Sequence, residues 1–443
     1  MIPVVTPEEM KAIDASASEP AAALVERAGA AVARMAVDIL GGTYGRRVVV
    51  VAGKGMNGAD GRVAARRLER RGVRVQVIDA APCPAQLPAC DLVVDAAYGT
   101  GFRGAYDAPD AGDAFVLAVD VPSGLDALTG VASPGAVRAD ATVTFAAMKP
   151  GLVYDRARHT GLVTVVDIGL DVSSALAHLV EPADVSLPPR ALDAHKYAAA
   201  VLVVAGSPGM SGAPELCARA ALRSGSGYVR LAVPGAGGST SDVVEAVGLD
   251  LPSTSWAGAV LDACDRMKSI AIGPGLGRER GTLADVKRVA SEANLPMVVD
   301  GDGLRAVDPG KPMGGPAPRV LTPHEGEFEH LAGAAVGDDR LADIRRVARE
   351  TGATVLLKGP TTVVADGTGG ALFVTTGGPA LATAGTGDVL TGMVAAFLAQ
   401  GLPPLHAAAY AACAHGLAAG AHGLAAGLVA SDLPDLVARV LWS

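Results

Sequence analysis

The sequence predicts a two-domain α/β protein in which each domain packs helices around a mostly parallel sheet. The chain has 443 residues, enough for two domains at about 100–200 residues per domain. Short β-branched runs alternate with helical stretches in both halves, as they do in doubly wound sheets. Between the halves, residues 181–190 read EPADVSLPPR, a proline-rich segment with little apolar periodicity that indicates a linker. We therefore expect an N-terminal domain over residues 1–183 and a C-terminal domain over 190–443.

The N-terminal half is predicted to open with a helical arm and then to alternate strand with helix. Thr6, Pro7 and Glu9 form a capping-box pattern that marks a helix start. A second helix is expected at about 21–40 and a third at Arg62–Arg71. β-Branched and apolar runs predict the following strands: Arg47–Ala52, Val73–Ile78, Leu92–Asp95, Phe115–Val119, Ala141–Phe145 and Val163–Ile168.

The C-terminal half repeats the alternation and ends in helices from Asp388 onward. Its predicted strands are Val201–Ala205, Tyr228–Val233, Ser269–Ile272, Met297–Asp300, Arg319–Thr322, Thr354–Lys358, Thr361–Ala365 and Leu372–Thr375. No residue between Asp388 and Asp432 is charged. Because this stretch is rich in Ala and Gly and is interrupted by Pro403-Pro404, it favours buried helices of an Ala-rich core over a membrane span.

Composition excludes several classes of protein. The net charge is −9, so a nucleic-acid partner is not expected. The five cysteines are spread widely and contain no CxxC pair, which is typical of free thiols in a reducing compartment. The first residues, MIPVVTPEEMKAID, carry acids where an export signal needs an apolar run. We expect a cytoplasmic homo-oligomer that acts on small molecules, with no membrane partner.

A glycine-rich loop follows the first strand of the N-terminal half. Gly53, Gly55 and Gly58 satisfy GxGxxG between a strand and a helix, and Asp79 follows about twenty residues later. Such a loop can close backbone amides around a phosphate at a helix N-terminus. The pattern alone leaves open a plain glycine turn and an NAD-dependent dehydrogenase site.

Polar residues also follow three further strands of this half. Asp95, Asp120 and Lys149 each stand at a predicted strand end, where open α/β sheets bind their ligands. Oxygen atoms from Asn, Asp and Ser side chains are hard ligands that suit an alkali or alkaline-earth cation better than zinc. A polar site is therefore expected at this edge of the sheet.

The C-terminal half contains a second candidate site at Ala384-Gly385-Thr386-Gly387-Asp388, directly before an expected helix at Val389–Ala399. Glycine amides at a helix start can stabilise a phosphoryl group in transfer, and the Asp388 carboxylate can accept a proton from a hydroxyl. An Asp at this position is also a good helix N-cap, so both roles stay open. The chain contains no GxxxxGK[ST], so a nucleotide bound here would not use a P-loop.

Three other segments of this half favour a nucleotide site. Glycine-rich loops at 206–213 and 273–277 follow predicted strands. Lys358 through Thr362 join two strands and supply a cation and hydroxyls. His324 stands at another strand end; its separation from His330 does not match HExxH, which argues against zinc.

The N-terminal motifs resemble those of a known domain family. GKGMNGADG, DAAYGTG and DVPSGLDALTG are similar to the three signatures of NAD(P)H-hydrate epimerase domains, and the resemblance covers roughly residues 1–180. Met56 replaces the usual Asn of the family and Ala59 the usual Gly. The resemblance implies that the hydrated dinucleotide is bound by Met56, Asn57, Gly58, Ala59, Asp60, Gly99, Thr100, Gly101, Phe102, Arg103, Gly104 and Ala105.

The same resemblance implies a metal site and a catalytic group. Asn57, Asp95 and Ser123 would hold a potassium ion. Asp120 would contact the nicotinamide and act as the acid/base residue.

From about His195 to the C-terminus, the chain resembles the ribokinase-like superfamily and, within it, the ADP-dependent NAD(P)H-hydrate dehydratases. One departure is His195-Lys196-Tyr197-Ala198, where the family usually has glycines after the His-Lys pair. The resemblance implies a Rossmann-like αβα sandwich followed by a ribokinase-like αβα sandwich. It assigns the hydrated dinucleotide to Ala213, Gly275, His324 and Asp388, and the adenine nucleotide to Lys358, Gly359, Pro360, Thr361, Thr362, Gly385, Thr386 and Gly387.

The two resemblances together imply a bifunctional enzyme that repairs hydrated NADH and NADPH. Asp388 would be the base of an ADP- and Mg²⁺-dependent dehydration that yields AMP and phosphate, although the residues do not distinguish ADP from ATP. One alternative is a kinase for a vitamin precursor or sugar with an N-terminal ligand-binding module. Another is an N-terminal half that senses ligands or binds proteins without catalysis.

Overall fold

The computed structural model describes residues 1–155, 158–236, 243–423 and 426–442. The chain divides into two compact units, Ile2–His178 and Leu179–Ser443, the second together with Met1. The division falls a few residues before the proline-rich segment at 181–190. Each unit is an α/β structure with its own sheet, which confirms the predicted fold class.

The N-terminal unit opens with the short strand β1 (Ile2–Val4). Among the described residues a sheet of six parallel strands follows: β2 (Arg47–Ala52), β3 (Arg74–Asp79), β4 (Leu92–Ala96), β5 (Phe115–Val119), β6 (Ala141–Phe145) and β7 (Leu162–Val166). Their order across the sheet is β3-β2-β4-β5-β6-β7, and β8 (Ala177–Leu179) lies at the division, outside this sheet. Its helices are α1 (Pro7–Ser16), α2 (Ala21–Leu40), α3 (Met56–Glu69) and α4 (Pro150–Asp155). The chain reverses direction across the sheet between β2 and β4, and such switch points open a crevice at the carboxyl ends of the strands.

Helix α3 differs from the prediction. It begins at Met56 rather than at Arg62, so the segment expected as a loop forms its first turns, after Gly55 at the N-cap. The glycines of this segment allow close packing. A Cβ at Gly58 would lie 1.9 Å from the Gly53 carbonyl oxygen, and one at Gly53 would lie 2.0 Å from the Ala97 carbonyl oxygen. Close approach of helix and strand therefore explains two of the three motif glycines without invoking a phosphate.

We expect Gly58→Ala to destabilise the N-terminal unit by about 1–3 kcal/mol, because the added methyl group overlaps backbone atoms that can move only with the helix. Gly101→Ala is the matched control, since a Cβ there meets no atom within 4 Å. Chemical denaturation followed by circular dichroism measures both variants. Equal free energies of unfolding for the two variants would contradict the packing argument.

In the part of the C-terminal unit that the structure describes, nine strands lie wholly within the unit: β9 (Ala200–Val204), β10 (Tyr228–Pro234), β11 (Val247–Leu251), β12 (Ser269–Ile272), β13 (Met297–Val299), β14 (Arg319–Leu321), β15 (Thr354–Leu357), β16 (Thr362–Ala365) and β17 (Ala371–Val374). Their order across the sheet is β17-β16-β15-β14-β13-β12-β9-β10-β11. The pairs β15–β16 and β16–β17 are antiparallel and the others parallel. The edge strand β11 was not predicted, because its largely exposed VGLDL sequence lacks a buried apolar run.

The helices of this unit cover both faces of the sheet and fill its core. They are α5 (Gly212–Arg223), α6 (Ala257–Asp262), α7 (Arg280–Glu292), α8 (Glu325–Ala332), α9 (Arg340–Thr351), α10 (Thr386–Ala399), α11 (Pro404–Ala421) and α12 (Leu433–Trp442). Helices α10 and α11 are buried over most of their length, as the uncharged sequence predicted. Within the described ranges no helix combines the length and apolarity needed to cross a bilayer.

Candidate active sites

A cavity of about 860 Å³ lies in the N-terminal unit at the carboxyl ends of β2, β4 and β5. Of the predicted substrate residues, those that line it are Met56, Asn57, Asp60, Gly99, Thr100, Gly101, Phe102 and Arg103, together with Asp120. Gly58, Ala59, Gly104 and Ala105 do not line it. Met56, which departs from the family pattern, is 58% exposed at the cavity rim. The cavity therefore lies at the strand ends where a polar site is expected, and Asp60 and Asp120 line it.

Asp120 is held in this cavity by donors on both carboxylate oxygens. Oδ1 accepts from Lys149 Nζ at 2.7 Å and from Thr144 Oγ1 at 3.1 Å. Oδ2 accepts from the backbone amide and the hydroxyl of Thr100. The backbone of Asp120 has φ 66°, an uncommon value for a residue other than glycine and one often found at functional sites. The fold thus fixes this carboxylate at the cost of backbone strain.

The charges around Asp120 and Asp60 move their pKa values in opposite directions. Burial raises the pKa of Asp120, but the Lys149 ammonium and the surrounding hydrogen bonds outweigh it, so the pKa lies below its usual value. For Asp60, burial and the nearby Asp120 charge raise the pKa to about 8. Asp120 is therefore ionised at neutral pH, and Asp60 is largely protonated.

The residues predicted to bind a cation are linked by hydrogen bonds, and Asn57 among them lines the cavity. Ser123 Oγ donates to Asp95 Oδ1 at 2.7 Å, and Asn57 Nδ2 donates to the Tyr98 carbonyl at 2.8 Å. Asn57 Oδ1 is buried and has no hydrogen-bond partner among the described residues. Ser123 Oγ also lies 3.2 Å from the Tyr98 carbonyl oxygen, so the three residues belong to one hydrogen-bonded cluster. Amide, carboxylate and hydroxyl oxygens are a donor set that fits a hard monovalent or divalent cation.

The second site lies at the start of α10. The helix begins at Thr386, three residues earlier than predicted, after Gly385 with φ 90°. A methyl group added at Gly387 would lie 3.5 Å from Lys358 Nζ, so this ammonium lies beside the first turn of the helix. Backbone amides, the helix dipole and a lysine together form a place for a phosphoryl group.

Lys358 belongs to a buried polar network. Its Nζ donates to Asp300 Oδ1 at 2.8 Å and lies 3.8 Å from Glu327 Oε2, while Thr391 Oγ1 donates to Asp300 Oδ2 at 2.6 Å. Burial lowers the pKa of Lys358, but the charges of Asp300 and Glu327 outweigh burial and raise it. The lysine therefore stays charged beside the helix start.

Asp388 is a titratable group in the same surroundings. Burial raises its pKa to about 7, with the charge of Asp300 adding to the effect, Lys358 opposing it and Glu327 adding again. A carboxyl group with a pKa near neutrality is suited to take and return a proton at physiological pH. The helix N-cap position is occupied by Gly385, so Asp388 is not the cap.

The remaining predicted residues of this half lie at the same sheet edge. A Cβ at Gly275 would lie 3.3 Å from Ala213 Cβ. Ala213 belongs to α5, and α5 packs on α10. His324 is the N-cap of α8, with Nδ1 accepting from the Gly326 and Glu327 amides. Gly359, Pro360 and Thr361 form the turn between β15 and β16, and Thr362 begins β16.

Sequence reasoning gave no role to several residues of these sites. Lys149 is marked in the sequence only by its position at a strand end, and no motif includes Thr144, Asp300 or Thr391 in a functional role; Glu327 stands beside His324 without a role of its own. Position at a strand end was the available signal for Lys149 and Asp300. Thr144 and Thr391 lie inside regular elements and reach the sites only through packing, so the sequence contained no signal for them.

Comparison with known families supports both halves. A family model described as NAD(P)H-hydrate dehydratase matches residues 201–441, and one described as YjeF-related protein N-terminus matches 21–87 and 78–151. A bifunctional NAD(P)H-hydrate repair enzyme of Moorella thermoacetica is 37% identical over 510 residues, covering 99% of this chain and 96% of that protein. Another, from Mycobacterium leprae, is 38% identical and covers 88% of each.

Solved structures agree for the C-terminal half. An ADP/ATP-dependent NAD(P)H-hydrate dehydratase from Bacillus subtilis, crystallised with ATP and Mg²⁺, has a TM-score of 0.50 at 30% identity and covers 59% of this chain and 96% of its own. A ribokinase-like superfamily protein from Enterococcus faecalis has a TM-score of 0.51 at 24% identity, covering 60% and 94%, and supports the fold. The chain belongs to the family of bifunctional NAD(P)H-hydrate repair enzymes.

Proposed function

We propose that this chain repairs NADH and NADPH that have added water across the nicotinamide ring. The N-terminal unit interconverts the R and S epimers of the hydrate, and the C-terminal unit converts the S epimer back to the reduced dinucleotide at the expense of ADP. The main support is the position of Asp388, a near-neutral carboxyl at the amide-rich start of α10 beside Lys358. Family membership over nearly the whole chain supports the pairing of the two activities.

In the C-terminal unit, Asp388 takes the proton of the substrate hydroxyl as its oxygen attacks the terminal phosphorus of ADP. AMP leaves, with the Gly385–Gly387 amides and Lys358 stabilising the transferred phosphoryl group. Phosphate then departs from the ring with the C–O bonding electrons, and loss of a ring proton restores the double bond. Mg²⁺ bound with ADP would neutralise phosphoryl charge. Lys358 through Thr362 and Gly387 would contact ADP, and Ala213, Gly275 and His324 the hydrated dinucleotide.

In the N-terminal unit, the cavity accepts the hydrated dinucleotide with the ring facing Asp120. The loop at 99–103 and the first turn of α3 lie along the dinucleotide. Asn57, Asp95 and Ser123 would hold a potassium ion, with the unpartnered Asn57 oxygen as one ligand. That ion would supply positive charge for the pyrophosphate.

The deciding experiment measures recovery of the reduced-nicotinamide absorption band from a mixture of R and S hydrates, with and without ADP and Mg²⁺. We expect full recovery with ADP, release of one AMP and one phosphate per turnover, and no stable phosphorylated dinucleotide. Absence of recovery with both ADP and ATP would refute the proposal. A stable phosphorylated product from a vitamin precursor or sugar would support a small-molecule kinase instead.

The dehydration rate should depend on pH through Asp388. Because its raised pKa of about 7 leaves the base protonated in acid, the rate at saturating ADP should rise between pH 6 and 8, with its midpoint near 7. Initial rates with the pure S epimer in constant-ionic-strength buffers measure this profile. A rate that is flat across this range would rule out Asp388 as the titrating base.

Three further properties belong to the same proposal: use of ADP as the phosphoryl donor, a cytoplasmic location and assembly as a homo-oligomer. The five cysteines are free in the structure. Parallel assays with ADP and ATP test the donor, and sedimentation velocity tests the assembly.

A further inference from the structure

Asp60 has an unusual environment for a buried acid. It is 7% exposed, lines the N-terminal cavity, and its carboxyl group forms no hydrogen bond or ion pair with any described residue. The other buried aspartates each accept hydrogen bonds: Asp95, Asp155, Asp285 and Asp300. Because Asp60 lines the cavity and no described residue donates a hydrogen bond to its carboxyl group, a partner for this group can arrive with the ligand.

Asp120 has the opposite environment. Both of its carboxylate oxygens accept hydrogen bonds, and one of the donors is Lys149, which is 1% exposed. Protonating this carboxyl group would leave the Lys149 ammonium buried without its counter-ion. Asp120 is therefore a fixed negative charge and a poor carrier of protons.

The carboxyl groups of Asp60 and Asp120 both line the N-terminal cavity. Asn57 and Asp60 are three residues apart on α3 and so share a face of the helix. A Cβ at Gly99 would lie 3.2 Å from Asn57 Cγ and 3.3 Å from Asp120 Oδ2, so Gly99 lies between Asn57 and Asp120.

The other charged groups of the cavity do not duplicate Asp60. Asp79 is paired with Arg62, Lys54 and Asp14 are exposed, and Arg103 lies at the rim near Asp126. Burial raises the pKa of Asp14, with Lys149 opposing and Asp120 adding. Asp14 is therefore the competitor that an experiment must exclude.

We propose that Asp60 carries the proton in epimerisation, while Asp120 remains ionised and stabilises the cation that forms. This inference rests on the proposed epimerase activity of the N-terminal unit and revises the acid/base role expected for Asp120. It uses the general rule that two acids in one site with pKa values moved apart divide the acid and charge-stabilising roles.

The step is balanced without a further reactant. Asp60 gives its proton to the ring hydroxyl, and the C–O bond breaks with its electrons leaving on water. The lone pair of the adjacent ring nitrogen forms a C=N bond, giving a cation that faces the Asp120 carboxylate. Water then adds to the other face of the same carbon, the C=N electrons return to nitrogen, the added water loses a proton to solvent, and Asp60 takes up a proton from solvent.

The test uses the full chain without ADP, so that dehydration cannot occur. Pure R hydrate is incubated with enzyme, R and S are separated chromatographically, and the spontaneous rate is subtracted. Asp60→Asn should lower kcat at least about 100-fold with a KM change below about threefold. The wild-type rate should fall as pH rises through about 8, the range in which Asp60 loses its proton. The small residual rate of Asp60→Asn should not show this fall.

Asp14→Asn is the matched control, and its epimerisation rate should still fall as the pH rises through about 8, as in wild type. The proposal is wrong if the fall in rate at alkaline pH disappears in Asp14→Asn and persists in Asp60→Asn. It is also wrong if Asp60→Asn changes KM alone. A melting temperature for Asp60→Asn within a few degrees of wild type excludes misfolding. Asp60→Glu should recover part of kcat, and its rate should again fall as the pH rises. If wild type itself does not interconvert the epimers, the proposed epimerase function fails and not the assignment of Asp60 alone.

Discussion

Replacing Asp388 by Asn is expected to reduce ADP-dependent recovery of NAD(P)H from the S epimer by about 100- to 10,000-fold, the usual contribution of a positioned base. The amide cannot take the hydroxyl proton, and the attacking oxygen is then a weak nucleophile. The start of α10 should be unaffected, because Gly385 and not Asp388 is its N-cap. Recovery of the absorption band with the pure S epimer measures the effect.

Interconversion of R and S hydrates by the same Asp388→Asn chain serves as its internal control. The N-terminal cavity is lined by residues of the N-terminal unit alone. Epimerisation without ADP should therefore proceed at the wild-type rate. Recovery within tenfold of wild type in Asp388→Asn would mean that another group, such as Glu327, is the base.

Replacing Lys149 by Met should destabilise the N-terminal unit by about 3–5 kcal/mol at pH 7, because it leaves the Asp120 carboxylate buried and unpaired. It should also reduce epimerisation, since the Asp120 carboxylate loses the ammonium that holds it in place. Asp120 has a pKa lowered from 3.8 in the folded protein, so its contribution to stability is present above that value and is lost as the pH falls below it. The difference between wild type and Lys149→Met should accordingly shrink in acid.

A double-mutant cycle separates the ion pair from the packing of the lysine stem. Asp120→Asn keeps the positive φ at acceptable cost, because Asn tolerates that conformation better than most residues. The double variant Lys149→Met/Asp120→Asn should be more stable than Lys149→Met alone, since it contains no unpaired buried charge. Denaturant unfolding measures all four proteins. If the double variant is no more stable than Lys149→Met, the loss comes from packing and not from charge.

Most regular elements of both units were predictable, because buried parallel strands are apolar runs bounded by glycine and polar residues. The exposed edge strand β11 was missed, and two further errors lie at helix starts next to glycine. Helices α3 and α10 begin six and three residues before their predicted starts, at Met56 and Thr386. Glycine has low helix propensity, so the sequence assigned these turns to loops, whereas packing against neighbouring backbone requires glycine inside α3.

The sequence by itself determined the two-domain α/β organisation, the family and the glycine- and aspartate-rich segments from which both candidate sites are built. These properties are local: strand periodicity, motif spacing and strand-end position are all written along the chain. The tertiary structure alone decided the state of each acid. Asp60, Asp120 and Asp388 are the same residue type, yet burial without a partner raises one pKa, Lys149 lowers another and burial among like charges brings the third to about 7. Those neighbours come from distant parts of the chain, because electrostatic environment depends on distance in space and not on separation in sequence.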